Sequence, residues 1–508
     1  MSVSRRSFLK TASTAAIAAA TMPLIKNSFF SLNAAESPGY FQKEFGMTES
    51  IWKKALGEAL SKGGDYADLY FEHTIQNYLI LEDGKVNRAY SDISLGVGIR
   101  TVKGDQVGYG FTQELDEKSI LAAAATAASI SSSGKAPAVK SFTKLKTENY
   151  YPLEKLLTEV PVESKLPIVY ALNEKCFSLA SDIIKVNITY FDEQKRITVV
   201  TSDGVVAEDL LPKNYLSASV LAEREGKKER AGWNLGGRKN FSFYNDDVIN
   251  KIAHKAVNDV HILFESVQPP AGEIPVVLGP GVTGILLHEA IGHGMEADFN
   301  RKKISTYADM IGRKVAESEV TIIDDGTNPG LPGAINFDDE GTPTQRTLLV
   351  DKGILSSFMH DKISAKYYNL KSTGNGRRES YQHYVMPRMR NTYMLAGSSH
   401  PDEIVKAVDK GIYVENVSNG QVQIGEGDFA FYVSQGRLIE DGKKTVPIKD
   451  INIMGNGPKM LANVIMVGND LQMSEGGAGQ CGKNGQGVPV GFGMPTLLVK
   501  SMTVGGVQ

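Results

Sequence analysis

Two histidines five residues apart, with a glutamate directly after the first, have the clearest chemical potential in the chain: Leu286-Leu287-His288-Glu289-Ala290-Ile291-Gly292-His293-Gly294. Neutral imidazoles are good ligands for Zn2+, and a carboxylate beside the first ligand stands where it can deprotonate a water bound to the ion. The spacing is H-E-x-x-x-H, one residue longer than the H-E-x-x-H zinc helix. On a regular helix, residues i and i+4 lie roughly 40° apart around the axis, and i and i+5 roughly 140° apart. Both imidazoles reach one ion only if the helix ends, widens or bulges between them, and Gly292 stands where that is easiest. Two histidines satisfied inside a buried helix would give the same pattern, so the motif alone leaves both readings open.

A catalytic zinc usually takes three protein ligands and keeps one position open. Several residues could be the third. Glu296 and Asp298 follow the second histidine closely, and Asp338, Asp339 and Glu340 form an acidic cluster. Cys481 lies in a glycine-rich stretch, residues 474–487, where backbone can approach another element closely. Cys176 sits mid-helix beside Phe177 and reads as core. Two cysteines exclude a disulfide scaffold.

These residues need elements to position them. Residues 36–47 read as a poorly ordered lead-in, and 49–62 as a helix that stops at Gly63-Gly64. Strands are expected over 66–73, 78–82, 94–102 and 107–112, with turns at Asp83-Gly84 and Lys103-Gly104. Helices follow over 119–131, 162–184 and 246–263, with strands over 185–192, 196–201, 205–211 and 215–225 and a loop over 235–243 between the last two. Residues 266–272 break all periodicity and mark a domain boundary. Beyond them a short strand, 274–278, leads through Gly279-Pro280-Gly281 into the His-Glu-His helix, and the remainder is mostly strands and glycine turns. The expected fold class is α+β, with an N-terminal layer domain over 36–268 and a mainly β domain over 269–508.

At 508 residues the chain is too long for a single core. Charged residues at 22% and hydrophobic residues at 42% fit a globular protein, and a formal charge of −3 gives no reason to expect nucleic-acid binding. No uninterrupted apolar run of membrane-spanning length lies beyond the N-terminus, so no integral membrane association is expected. Ser4-Arg5-Arg6-Ser7-Phe8-Leu9-Lys10, followed by an Ala/Thr-rich stretch to Leu24, resembles a twin-arginine signal peptide over residues 1–35. That leader implies export, after folding, to the periplasm or another extracytoplasmic space. It also disfavours a Cys176–Cys481 disulfide.

Four motifs in order carry a family resemblance: residues 288–294; Met386-Pro387-Arg388-Met389-Arg390-Asn391-Thr392-Tyr393; Met466-Val467-Gly468-Asn469-Asp470; and Cys481-Gly482-Lys483-Asn484-Gly485-Gln486-Gly487. Together with Gly64-Asp65-Tyr66-Ala67-Asp68-Leu69-Tyr70, they resemble the TldD/PmbA metallopeptidases, once labelled modulators of DNA gyrase, on the TldD side that keeps His-Glu-His. The resemblance implies a barrel-like antiparallel C-terminal domain, zinc held by His288, His293 and Cys481, and Glu289 as general base. It further implies peptides or unfolded segments as substrates and a homodimer or a heterodimer with a PmbA/TldE-like subunit. Relatives in this family work in the cytoplasm, so a leader sets this chain apart. A metal-stabilised protein that binds peptides without cutting them, or a zinc hydrolase of non-peptide amides, are the competing readings. Arg377, Arg378 and Arg388 suit either substrate binding or salt bridges.

Overall fold

Alternation along the first long strand decides how the molecule is layered. The strand β1, Tyr66–Glu82, turns Ala67, Leu69, Phe71, Leu79 and Leu81 to one face and Asp68, Tyr70 and Glu72 to the other, and all of these are buried. A strand covered on both faces needs something packed on each side. The structure, a computed structural model, describes residues 39–132, 134–423 and 426–506, so the leader expected over 1–35 lies outside the described residues. Tyr40–Gln508 gather into one compact unit. Among the described residues, no helix is long and apolar enough to cross a membrane.

The helices α1 (Glu49–Leu60), α2 (Glu117–Ala128), α3 (Val162–Leu179) and α4 (Asp246–Glu265) cover the odd-numbered face of β1. Side chains of Thr48, Asp116 and Asn245 cap α1, α2 and α4 by accepting from backbone N–H groups of the first turn. The sheet continues through β2 (Lys85–Lys103), β3 (Gln106–Thr112), β4 (Ile183–Thr201), β5 (Val205–Arg224) and β6 (Lys227–Gly237), with β3-β2-β1-β4-β5 as its spine. Asp83 and Gly84 both take positive φ, 51° and 72°, which matches the twist of the β1–β2 hairpin they close. Cys176 is buried among Leu79, Val169 and Ile252, and both cysteines are free.

The second half is built on a barrel. Strands β7 (Gly272–Leu278), β8 (Lys410–Gln423), β9 (Asp428–Glu440), β10 (Ile451–Asn456) and β11 (Leu497–Gly506) run in the order β8-β7-β11-β10-β9, and β9 pairs back with β8 to close the ring. All pairings are antiparallel except β7 with β8. Val276, Ile412, Val414, Phe431, Ile453 and Val499 share one core with Leu286, Leu287, Ala290 and Ile291, so the His-Glu-His segment is part of the barrel's packing. A neighbouring sheet pairs Asn391–Met394 in parallel with Gly491–Met494, which brings the Met-Pro-Arg-Met-Arg-Asn run beside the Cys481 segment.

The fold is mixed α+β and mostly sheet, as expected, but local boundaries differ. The separate strands read at 66–73 and 78–82 are one, as are those at 185–192 and 196–201. Polar stretches such as Thr74–Asn77 are strand, because they face polar partners. Residues 40–45 form a helical turn in place of a poorly ordered lead-in, since Phe41 is buried against Phe71. Strand β6 occupies the first part of the stretch read as a loop at 235–243.

Charge joins the even-numbered face of β1 to the C-terminal half. Asp68 accepts from Arg100 Nε at 2.7 Å and from Arg378 NH2 at 3.1 Å, and Arg100 also donates to Glu340 at 2.7 Å, all without solvent exposure. Burial raises the Asp68 carboxyl, but Arg100 and Arg378 outweigh it and hold the group below its ordinary range. Its contribution is therefore complete above about pH 4 and lost as pH falls through the lowered folded value. Asp68→Ala leaves the Arg378 guanidinium without its carboxylate and Arg100 with Glu340 alone, and is expected to cost about 3–5 kcal/mol, read as a lower denaturant midpoint at neutral pH.

Candidate metal centre

The chain leaves β7 through Gly281, at φ +80°, and enters a short helix at Gly284–Leu287. There the winding changes. His288–Gly292 is a π-turn, in which His293 N–H donates to His288 O, five residues back, before a tighter turn over His293–Met295. An i→i+5 hydrogen bond widens the helix by one residue and stacks His293 over His288. The widening that H-E-x-x-x-H demands is present, and it lies on the expected residues. Gly292 is required for a steric reason as well: a Cβ there would lie 2.1 Å from Met389 Sδ.

Cys481 arrives from far along the chain on a small hairpin, Gln480–Lys483 with Gln486–Pro489. Its turn is Asn484-Gly485, both at positive φ, the composition that a two-residue hairpin prefers. Arg388 donates to Cys481 O and, at 3.3 Å, to Gln486 O. Arg377 donates to Pro489 O at 2.8 Å and to Met389 O at 2.5 Å. Both arginines are buried and bound to backbone, so Arg388 serves as scaffold and neither of the roles left open for it applies. Arg378 likewise is committed to Asp68, Tyr109 and the Asp339 carbonyl.

The ligand-type atoms of His288, His293 and Cys481 all lie within 4.8 Å of one another, and all three residues are buried. Cys481 Sγ is 3.4 Å from His293 Nε2. Donor atoms on one tetrahedral zinc sit roughly 3.5 Å apart, so the spacing suits such an ion. Two imidazoles with a thiolate favour zinc over magnesium or calcium. His288 Nδ1 is buried with no hydrogen-bond partner among the described residues. Glu289 differs from these three: its side chain is 23% exposed, and its carboxylate is 3.6 Å from His293 Nε2.

The chain matches the PmbA/TldA metallopeptidase domain 1 over 67–131, the central domain of the same family over 155–263, and its C-terminal domain over 271–506. It belongs to the PmbA/TldD metallopeptidase family. It is 40% identical over 459 residues to the metalloprotease TldD homolog of Buchnera aphidicola (subsp. Acyrthosiphon pisum), which covers 89% of this chain and 95% of that one. The corresponding figure for the Haemophilus influenzae TldD homolog is 37% over 451 residues, 87% of this chain and 93% of that one. The crystal structure of TldE from Thermococcus kodakarensis shares the fold, with a TM-score of 0.72 at 17% identity over 90% of this chain and all of that one.

Within this family member, the other acidic candidates fall elsewhere. Glu296 lies behind His293, not in the ligand cluster: its Oε2 is 3.0 Å from His293 Nδ1 and accepts from Lys483 Nζ at 3.0 Å. Lys483 also donates to Asp298 at 2.7 Å and to Pro387 O at 3.1 Å. Asp338 takes backbone N–H groups of Glu340, Thr342 and Gly376, Asp339 takes that of Arg378, and Glu340 pairs with Arg100, so this cluster is structural. Lys483 was not singled out by sequence reasoning. Its position two residues after Cys481, and the position of Glu296 three after His293, are the available signals.

Electrostatics inside the cluster favour the deprotonated thiolate, the form of Cys481 that can ligate a metal. Burial raises Cys481, but His288 and His293 overcome it and hold the thiol well below its usual range. Burial lowers His293, while Glu296 and Cys481 carry it well above. Burial would raise Glu296, yet Lys483 and His293 bring it down to about 2. A carboxylate held ionised behind a ligand histidine fixes its tautomer and ring direction. Glu296→Gln is therefore expected to weaken metal retention by about 10–100-fold in chelator competition.

Proposed function

We propose that this chain is a zinc-dependent peptidase that hydrolyses peptides or unfolded segments, with Glu289 as the general base. The observation that carries this reading is the convergence of three buried metal-ligand side chains on one point, with one partly exposed carboxylate beside them. A structural zinc needs no such carboxylate.

His288, His293 and Cys481 would hold the ion, which supplies Lewis-acid polarisation of the scissile carbonyl and a lowered pKa for water. Glu289 takes the proton of the attacking water and returns it to the leaving amine. Glu296 orients His293 through Nδ1, and Lys483 ties that carboxylate to the ribbon that carries Cys481. Peptide substrates fit a free sheet edge such as β3, the end strand of the first sheet, since strand addition grips backbone without a sequence requirement.

Pairing with a second copy or with a PmbA/TldE-like subunit belongs to the same proposal, supported by the fold shared with TldE. Export by the twin-arginine route is part of the same proposal, supported by the sequence of residues 4–10, and would put the activity outside the cytoplasm.

Glu289→Gln should keep full zinc content and lose at least about 100-fold in cleavage of an unfolded peptide. Unchanged cleavage would overturn the peptidase mechanism. Cys481→Ala and His293→Ala should each lose zinc by elemental analysis, and full occupancy in either would remove that residue from the ligand set.

A further inference from the structure

A cavity of about 360 Å3 lies between the first sheet and the segments that hold the Cys481 hairpin. Its floor is the even-numbered face of β1 and its neighbours. Asp92, Gln76, Glu193 and Lys213 stand side by side across β2, β1, β4 and β5 in strict register. At the acidic end, the carboxylates face nearby donors or cations. Gln76 donates to Glu193 at 2.6 Å, while Lys195 sits 3.6 Å from Glu72 and donates to Glu379 O at 2.7 Å.

The other end is different. Lys213 is 4% exposed, and its one recorded interaction among the described residues is with the Phe191 ring, 5.4 Å away. Arg238 and Arg377 are equally buried and spend their hydrogen bonds on carbonyls: Ala334 and Pro212 for the first, Met389 and Pro489 for the second. None of the three is ion-paired with a carboxylate among the described residues. Burial lowers Lys213, and it lowers Arg377 to about 10; Glu193 opposes this at Lys213 and Asp339 at Arg377, while Arg238 adds to it at both. Buried cations with no carboxylate within ion-pair distance keep part of their desolvation cost, which a bound anion would offset.

We propose that Lys213, Arg238 and Arg377 form a carboxylate-binding end to this cavity, and that its ligand is the C-terminal carboxylate of a peptide. The ligand's identity rests on the peptidase reading. Guanidinium forks match carboxylate geometry, and a lysine adds a point charge. The volume is at the small end for ligand cavities, about 300–1,000 Å3, which suits the end of a chain better than its middle. Gln480 and Pro489, cross-strand partners on the Cys481 ribbon, complete the wall, so a peptide terminus held here rests against the element that carries a metal ligand.

The test uses the zinc-loaded Glu289→Gln protein and calorimetric titration with an N-acetylated tetrapeptide, once as the free acid and once as the amide. The acid is expected to bind at least about tenfold more tightly. Lys213→Met should abolish that difference while leaving the melting temperature unchanged or raised, because an unpaired buried ammonium is removed. Lys213→Arg should retain the preference. Should Lys213→Met fail to fold, Lys213→Gln is read in the same way. Equal affinity for acid and amide, a preference that survives the substitution, no binding of either peptide, or inorganic phosphate binding at least as tightly as the acid would each overturn the proposal. Binding is read without turnover. Preference for the acid in a protein whose wild-type form cuts no peptide would therefore count against the peptidase reading alone.

Discussion

One backbone hydrogen bond governs the site: His293 N–H to His288 O, reaching across five residues where a regular helix would reach across four. With it, two side chains that would splay apart stand over one another, their ring centroids 5.3 Å apart. π-turns occupy well under about 1% of residues and gather at functional sites, so one between two ligand-type histidines has a function that its cost in helix geometry would otherwise contradict. The barrel stabilises it. Ala290 and Ile291, inside the turn, are packed in the same core as Val417 and Phe431, and Met389 fills the space that a side chain at residue 292 would need.

Cys481 is brought to that turn by charge as much as by apolar packing. Arg388 and Arg377 fasten the Cys481 hairpin from beneath, and Lys483 reaches from it to Glu296, which faces His293. Every one of these groups is buried, so loss of any one strands a partner without water to replace it. The same logic operates between the halves, where Asp68, Arg100, Glu340 and Arg378 close the even-numbered face of β1. Arg378 and Arg388, which resemble substrate-binding groups in sequence, are here fasteners of the scaffold.

Much of the site was legible because its signals are local. His288, Glu289 and His293 declare their chemistry by type and spacing, and that spacing already demands a distorted helix. The glycines around Cys481 mark backbone that must approach another element. What was illegible depends on pairing over long distance. Thr74–Asn77 and Glu193–Lys195 read as breaks in strands because polar residues interrupt the apolar pattern, yet they continue β1 and β4 with their side chains on a polar cavity or against neighbouring polar groups. Glu296 and Asp298 were read as possible ligands, since sequence proximity to His293 does not reveal on which side of the ring a carboxylate lies. Asp338, Asp339 and Glu340 suggested a site and form an interior charged turn, because their partners come from segments far away in sequence.

The central claim is that one ion is held by two imidazoles and one thiolate across the π-turn and the hairpin. Zinc K-edge X-ray absorption on the purified, zinc-loaded protein tests it directly. The account predicts one sulfur scatterer at about 2.3 Å and nitrogen scatterers, two of them imidazole, at about 2.0–2.1 Å. A spectrum with no sulfur in the first coordination sphere, or with a single imidazole, would contradict it.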